Sequence, residues 1–372
     1  MSLFDRWQST LDQLQAQGRY RKFAVPSGID FTSNDYLGYA SRPYSTADSL
    51  SRSGAASRLL RGHHPIWDEV EAKLAAWHGV ETTLMMTSGY AANEGLISTL
   101  LEPGDWVATD ELNHACIVDG LRLARCRRFP YRHNDLNHLE DGLKHEADRN
   151  EEGRERFIIT ESLFSMDGDR APLREIAMLA NRNGAHLIVD EAHSTGCYGA
   201  NGSGCVDEAG VRDQVLASIH TGGKALALPG AYIAGSRLLK EYLTNRCRHL
   251  IFTTALPPVV GGWWLDGLAR VQGDADSRQR LHANTSLFRG ELAKRGIEAS
   301  GTEYVVPVVI GEDIKAVAAA SELQSAGFDV RAIRPPSVSP GTSRLRISIH
   351  ADHEPATLVH LAEAVARAVS YE

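Results

Sequence analysis

At 372 residues the chain exceeds the usual span of a single core, which predicts one large domain and one smaller one. Its 39 basic and 47 acidic side chains give a formal charge of −8, and no dense Lys/Arg run breaks that balance, which argues against a nucleic-acid partner. The longest apolar stretches, residues 305–310 and the Pro- and Gly-broken 225–234, fall short of the roughly 18–20 residues of a membrane helix, so no membrane partner is expected.

Five cysteines, Cys116, Cys126, Cys197, Cys205 and Cys247, include no CxxC pair and fit neither a disulfide framework nor a zinc site, so no metal is expected. At the start of the chain, Leu3, Phe4, Trp7, Leu11 and Leu14 recur at helical spacing and predict an amphipathic helix within residues 1–20. Acid and amide side chains interrupt residues 1–8 where a secretion signal needs an unbroken apolar core, which reads as a cytoplasmic chain. Arg19, Arg21 and Lys22 follow: singly they are surface charge, and as a cluster they suit an anionic acyl-carrier substrate. No strand pair is evident between Phe23 and Phe31. Residues 31–38 mix turn formers with two aromatics and predict an ordered loop in which Asn34 is a turn residue.

A small-residue loop at 54–62 leads to an amphipathic helix at 66–77 ended by Gly79. A short buried strand at 82–87 then meets Ser88-Gly89-Tyr90-Ala91-Ala92-Asn93, which opens a helix to about 101. Such a junction leaves backbone N–H groups pointing outward and predicts an anion site. Strands follow at 106–109, 129–133 and 157–160, with a surface helix at 137–145 and a charged, solvated connection at 146–155. His114, in the helix opening Asn113-His114-Ala115-Cys116, is either a plain helix-start residue or a flat ring placed to stack on a cofactor. Pro172 starts and Gly184 ends a helix, which completes a βαβ unit with the strand at 186–189.

That strand delivers Asp190, followed by His193, and the next predicted strand, 215–219, leads to Thr221-Gly222-Gly223-Lys224. An acid at one strand end and a Lys in the small-residue loop after the next suggest a strand-edge site for an aromatic cofactor. Lys is the side chain that condenses with an aldehyde, and pyridoxal phosphate enzymes pair that Lys with an Asp facing the pyridinium nitrogen. The glycines of 196–204 lack the strand-before, helix-after setting of a dinucleotide site, and Lys224 is followed by Ala225, not Ser or Thr, so neither nucleotide motif applies. After a strand at 231–234, Phe252-Thr253-Thr254-Ala255-Leu256-Pro257-Pro258 breaks regular structure. A long helix at 278–295 leads into strands at 305–310, 329–332 and 343–349 and helices at 314–326 and 354–369, a small α+β domain.

Taken together, Asn34-Asp35-Tyr36-Leu37-Gly38, the run at 88–93, Asn113-His114-Ala115, Ser165-Met166-Asp167-Gly168-Asp169, Asp190-Glu191-Ala192-His193, Gly223-Lys224 and the run at 253–258 resemble the α-oxoamine synthases from about residue 30 onward. These are pyridoxal-phosphate enzymes of the aspartate aminotransferase fold. The resemblance implies an α/β architecture: a mostly parallel central sheet with helices on both faces and a smaller α+β C-terminal domain. It divides the chain into an N-terminal helix and substrate-binding segment (1–40), a large cofactor-binding domain (41–265) and a C-terminal domain (266–372).

The same resemblance implies roles. Lys224 forms the Schiff base, Asp190 pairs with the ring nitrogen, His193 and Ser165 touch the phenolic oxygen, and His114 stacks on the ring. Gly89 and Tyr90 offer backbone N–H groups to the phosphate, Thr221 adds a hydroxyl, and Thr253 or Thr254 comes from a neighbouring subunit, implying a homodimer with active sites at the subunit interface. Arg346, with Arg344 as the alternative, and Asn34 hold the amino acid's carboxylate; Arg21, with Arg19 as the alternative, Arg334, Ser337 and His114 face the substrates. Ala332-Ile333-Arg334-Pro335-Pro336-Ser337-Val338 and the following Gly341-Thr342-Ser343-Arg344-Leu345-Arg346 look most like the biotin-pathway branch. The activity implied is decarboxylative condensation of L-alanine with a pimeloyl thioester of coenzyme A or an acyl-carrier protein, with Lys224 removing the α-proton. The alternative within the family is a glycine C-acetyltransferase.

Overall fold

The structure of the protein, a computed structural model, describes residues 1–44, 49–147, 149 and 153–370. Two units divide it: Leu37–Phe164 with Arg170–Arg278, and Met1–Tyr36 with Ser165–Asp169 and Gln279–Glu372. Seven strands make the sheet of the larger unit, in the spatial order Thr82–Met86, Ala231–Gly235, Val215–Thr221, His186–Asp190, Arg156–Glu161, Trp106–Asp110, Arg127–Tyr131. Consecutive residues of Trp106–Asp110 are all buried, and so are Leu187 to Asp190. Because neighbouring side chains point to opposite faces, both faces of these central strands are covered, as a parallel sheet requires. The core joins Leu84, Val107, Ile159, Ile188, Ile219 and Ile233 of the strands to Ala92, Leu96, Ile117 and Leu121 of the helices.

Ala231–Gly235 runs against both its neighbours, and the other strand pairs are parallel. The remaining six strands therefore share one direction, and their carboxyl ends meet at one edge of the sheet. That edge is where open α/β sheets present ligand-binding residues. Here it receives Ser88 and Gly89, Asn113 and His114, Glu161, Asp190 and Thr221 from five different strands.

In the smaller unit, Arg331–Ile333, Ser343–Ser348 and Val305–Gly311 form an antiparallel sheet in that order, accompanied by helices Asp313–Ser325 and Pro355–Val369. Ile29–Asp30 pairs in parallel with Phe328–Asp329. The single strand expected at 329–332 is thus two short strands in different sheets. Between them Val330 is fully buried and its N–H turns back to Phe328 O at 2.9 Å, which redirects the chain.

Helix Leu3–Ala16 forms as its spacing predicts, with a capping box between Ser2 and Asp5, yet Leu3, Phe4, Trp7 and Leu11 are all exposed. The loop expected at 54–62 ends in a π-helical turn at Arg58–Gly62. Pro257 and Pro258 do not only break structure: Pro258 is the first residue of helix Pro258–Gly273, where its missing N–H costs nothing. Glu151 and Glu152 of the expected solvated connection lie outside the described residues. All five cysteines are free and buried, and no described helix is long and apolar enough to cross a membrane.

Candidate functional site

Asp190 sits at the end of its strand with 5% of its surface exposed. Its Oδ2 accepts from Asn93 Nδ2 at 2.7 Å and its Oδ1 from the Ala192 N–H at 2.7 Å. Both donors are neutral amides. A buried carboxylate held by neutral donors is stabilised further by a cation, such as a pyridinium nitrogen. Asn93 belongs to the motif at 88–93 but carried no assigned role. It lies on helix Gly89–Leu100, 97 positions from Asp190, and its own Oδ1 is buried without a partner among the described residues.

Ser88 caps that helix, its Oγ accepting from Ala91 N–H at 3.1 Å, so the N–H groups of Gly89 and Tyr90 are the ones left for an anion. A Cβ on Gly89 would lie 2.4 Å from Thr221 Cγ2, so glycine is what lets this helix end approach the loop carrying Thr221. Thr221 is buried, and its Oγ1 donates to Ala192 O at 3.4 Å. The Tyr90 hydroxyl turns away to Asp119. Lys224, half-buried, stands in a tight turn: Ala227 N–H donates to Lys224 O at 2.9 Å and Leu228 N–H to Gly222 O at 2.8 Å. A Cβ on Gly222 would collide with Leu228 O and the Trp264 ring, at 2.5 and 2.6 Å.

His114 precedes helix Ala115–Ala124 and caps it, Nδ1 accepting from Cys116 N–H. The side chain is exposed, yet the protein packed around the ring lowers its pKa; Asp190 opposes that shift and the Lys224 charge adds to it. Glu161, on the strand beside Asp190 and in register with it, is buried, and its carboxyl is pushed up by burial first and by Asp190 second. Its Oε1 accepts the His114 N–H at 2.6 Å. Neither Glu161 nor Cys116 was singled out from the sequence. His193 is buried three positions after Asp190. The larger unit therefore brings both Asp190 and Lys224 within electrostatic reach of His114.

Thr253 and Thr254 stand apart. With Arg58, Trp67, Met85 and His249 they line a cleft of about 20 Å³ to which none of the other candidate residues contributes.

Within the smaller unit Arg346 is buried and, among the described residues, bonded to neutral acceptors: Ser165 O at 2.7 Å, Ser348 Oγ at 2.9 Å, Asn34 Oδ1 at 2.9 Å and Tyr36 OH at 3.4 Å. Arg344 is already committed to Asp167 Oδ1 at 2.7 Å and Met166 O at 2.9 Å. Arg19 pairs with Asp313 at 2.6 Å, and Arg21 is exposed. Arg334, whose guanidinium donates to Gly18 O, has its pKa lowered by burial and then by the Arg21 charge. Ser337 is exposed, with its N–H on Arg334 O at 3.1 Å.

A mostly parallel sheet whose strand ends bring a buried acid, a turn-mounted lysine and an anion-ready helix start together defines an aminotransferase-like α/β enzyme. The family profile described as aminotransferase class I and II matches residues 26–365, and the chain belongs to that family. An 8-amino-7-oxononanoate synthase of Chlorobaculum parvum is 42% identical over 336 residues, covering 87% of this chain and 85% of the relative. Among solved structures, a serine palmitoyltransferase from S. paucimobilis with a bound PLP–myriocin aldimine superposes with a TM-score of 0.90 at 28% identity, covering 99% of this chain and 98% of that one. An 8-amino-7-oxononanoate synthase from Francisella tularensis gives 0.77 at 27% identity, over 93% and 98%.

Proposed function

We propose that the chain is a pyridoxal-phosphate-dependent acyltransferase that joins L-alanine to a pimeloyl thioester of coenzyme A or an acyl-carrier protein, giving 8-amino-7-oxononanoate, carbon dioxide and the free carrier in biotin biosynthesis. The observation that carries it is the buried Asp190, held by two neutral donors, at the sheet edge that also holds Lys224, in a chain 42% identical to a synthase of that name.

Pyridoxal 5'-phosphate supplies the electron sink that stabilises negative charge on the amino acid's α-carbon. Asp190 would hold the ring nitrogen, His193 and Ser165 its phenolic oxygen, and His114 would cover its face. Gly89 and Tyr90 N–H groups and the Thr221 hydroxyl hold the phosphate. Lys224 would anchor the aldehyde carbon, and its free amine takes the α-proton of the amino acid and later returns a proton to the same carbon. Arg346, bonded among the described residues to neutral acceptors, binds the substrate carboxylate with Asn34; the commitment of Arg344 to Asp167 supports this choice. Arg21, Arg334 and Ser337 serve the acyl donor. New carbon–carbon bond formation expels the carrier thiol, and the carboxylate leaves as carbon dioxide. The separate cleft of Thr253 and Thr254 supports their serving a neighbouring protomer, so the working form is a cytoplasmic homodimer. Segment 1–40 then supplies substrate contacts, 41–265 the cofactor site and 266–372 the carboxylate site.

Absorbance titration of the cofactor-loaded protein tests this. A Lys224-dependent band that shifts with L-alanine, followed by carbon dioxide release on adding pimeloyl-coenzyme A, is expected. A band that responds to glycine alone, with pimeloyl-coenzyme A inert, would replace the substrate assignment; no Lys224-dependent band at all would sink the reading.

A further inference from the structure

We infer that Cys116 and Glu161 are positioning residues that hold His114 as a neutral imidazole with its ring proton on Nε2. His114 Nδ1 faces two donors of one residue: the Cys116 N–H at 3.3 Å and the Cys116 Sγ at 2.9 Å. A proton on Nδ1 would point into both donors; the N–H contact is long, so the closer thiol is what decides that the nitrogen capping helix Ala115–Ala124 presents its lone pair. The neutral ring then carries its hydrogen on Nε2. Cys116 is buried, and burial, then the charges of Asp190 and Glu161, push its thiol up, so the sulfur keeps its hydrogen and acts as donor.

The backbone of His114 is pinned from another element. Glu161 Oε1 takes its N–H at 2.6 Å, while Glu161's own N–H is held by Asn113 Oδ1 at 3.1 Å. The Asn113 amide is fixed in turn to Ile159 O at 2.8 Å and Thr109 Oγ1 at 2.9 Å. Ring and backbone are thus set separately, by side chains on a helix and a strand. The charged groups acting on the ring are Asp190 and Lys224. A neutral ring can lie against a cationic pyridinium without like-charge repulsion, which an imidazolium could not. The functional consequence rests on the proposed stacking role of His114.

The test is nitrogen-15 NMR of histidine-labelled protein, with His114→Asn identifying the His114 signals among the 15 histidines. A bare Nδ1 and protonated Nε2 are expected at neutral pH in the wild type and in Cys116→Ser, whose hydroxyl also donates, and a mixture of tautomers in Cys116→Ala. Glu161→Gln, which keeps an acceptor, should preserve the wild-type signal, and Glu161→Ala should broaden or shift it. Pyridoxal phosphate should bind Cys116→Ala about five-fold more weakly, as for one lost hydrogen bond, with Cys116→Ser close to wild type. A wild-type Nδ1–H tautomer, or a Cys116→Ala spectrum identical to wild type, would overturn the inference. If the tautomer is as inferred but added cofactor leaves the His114 signals unmoved, the clamp stands and the stacking role fails.

Discussion

Removing the Asn93 amide takes from Asp190 the donor that holds its Oδ2, at 2.7 Å in a site 1–5% exposed. A hydrogen bond to a buried charge contributes about 1.5–3 kcal/mol, and its loss falls on the state in which Asp190 is ionised. Asn93→Ala should therefore weaken pyridoxal phosphate binding roughly ten- to hundred-fold, measured by absorbance titration, because a carboxylate that has lost the donor fixing its Oδ2 pairs poorly with a pyridinium. Thermal stability should change far less, since the substitution also removes the unpartnered Oδ1. Unchanged cofactor affinity would mean that the Ala192 N–H alone fixes the carboxylate.

At the scale of elements, the site is a meeting of strand ends, and its clearest joint is the approach of helix Gly89–Leu100 to Thr221. Gly89→Ala places a methyl against Thr221 Cγ2, a clash of the kind that costs about 1–3 kcal/mol. The cofactor phosphate should bind ten-fold or more weakly in consequence. Thr221→Ser deletes the offending methyl while keeping the hydroxyl, so the double variant should recover most of that loss, and binding isotherms for the four proteins check it. Asp190, His114 and Lys224 were legible in the sequence because each follows an apolar run that ends at the same sheet edge. Asn93 and Glu161 were not, because their work is done on partners that only the sheet order brings near, 97 and 47 positions away; Cys116 acts on His114 two positions before it, but a lone cysteine at a helix start carries no pattern that marks it. The helix Pro258–Gly273 was hidden by its own capping residue: Pro257-Pro258 reads as a break, and only the structure shows the second proline starting a helix. Strand Ile29–Asp30 is two exposed residues with no alternation to find.

Across the whole molecule, the sheet buries titratable groups whose effects on stability oppose one another. His220 bonds Thr195 Oγ1 and Ser218 Oγ, each at 2.8 Å, and lies 4.1 Å from the His78 ring, itself on the Tyr232 hydroxyl at 2.7 Å. Burial pushes His78 down to about 3, with the Arg212 charge second, and takes His220 well below 6.5. The unfolded chain then binds more protons below pH 6.5, and these histidines make the fold less stable as pH falls. Glu191 acts the other way. Its Oε1 accepts from Ser194 Oγ, Cys205 N and Val206 N at 3.0–3.1 Å, while Oε2 has no partner among the described residues. Burial raises its carboxyl from 4.5 to about 7, so between those values the folded chain holds a proton that the unfolded chain has lost. Its contribution is complete below pH 4.5 and is lost as pH rises through 7. Glu191→Gln keeps the Oε1 acceptor and cannot ionise. The unfolding free energy of the variant minus that of the wild type should therefore climb by about 1.4 kcal/mol per pH unit from 5 to 7, then level off roughly 3 kcal/mol higher. Urea unfolding at half-unit pH steps measures that difference, and parallel curves for the two proteins would mean that Glu191 is ionised in the fold throughout.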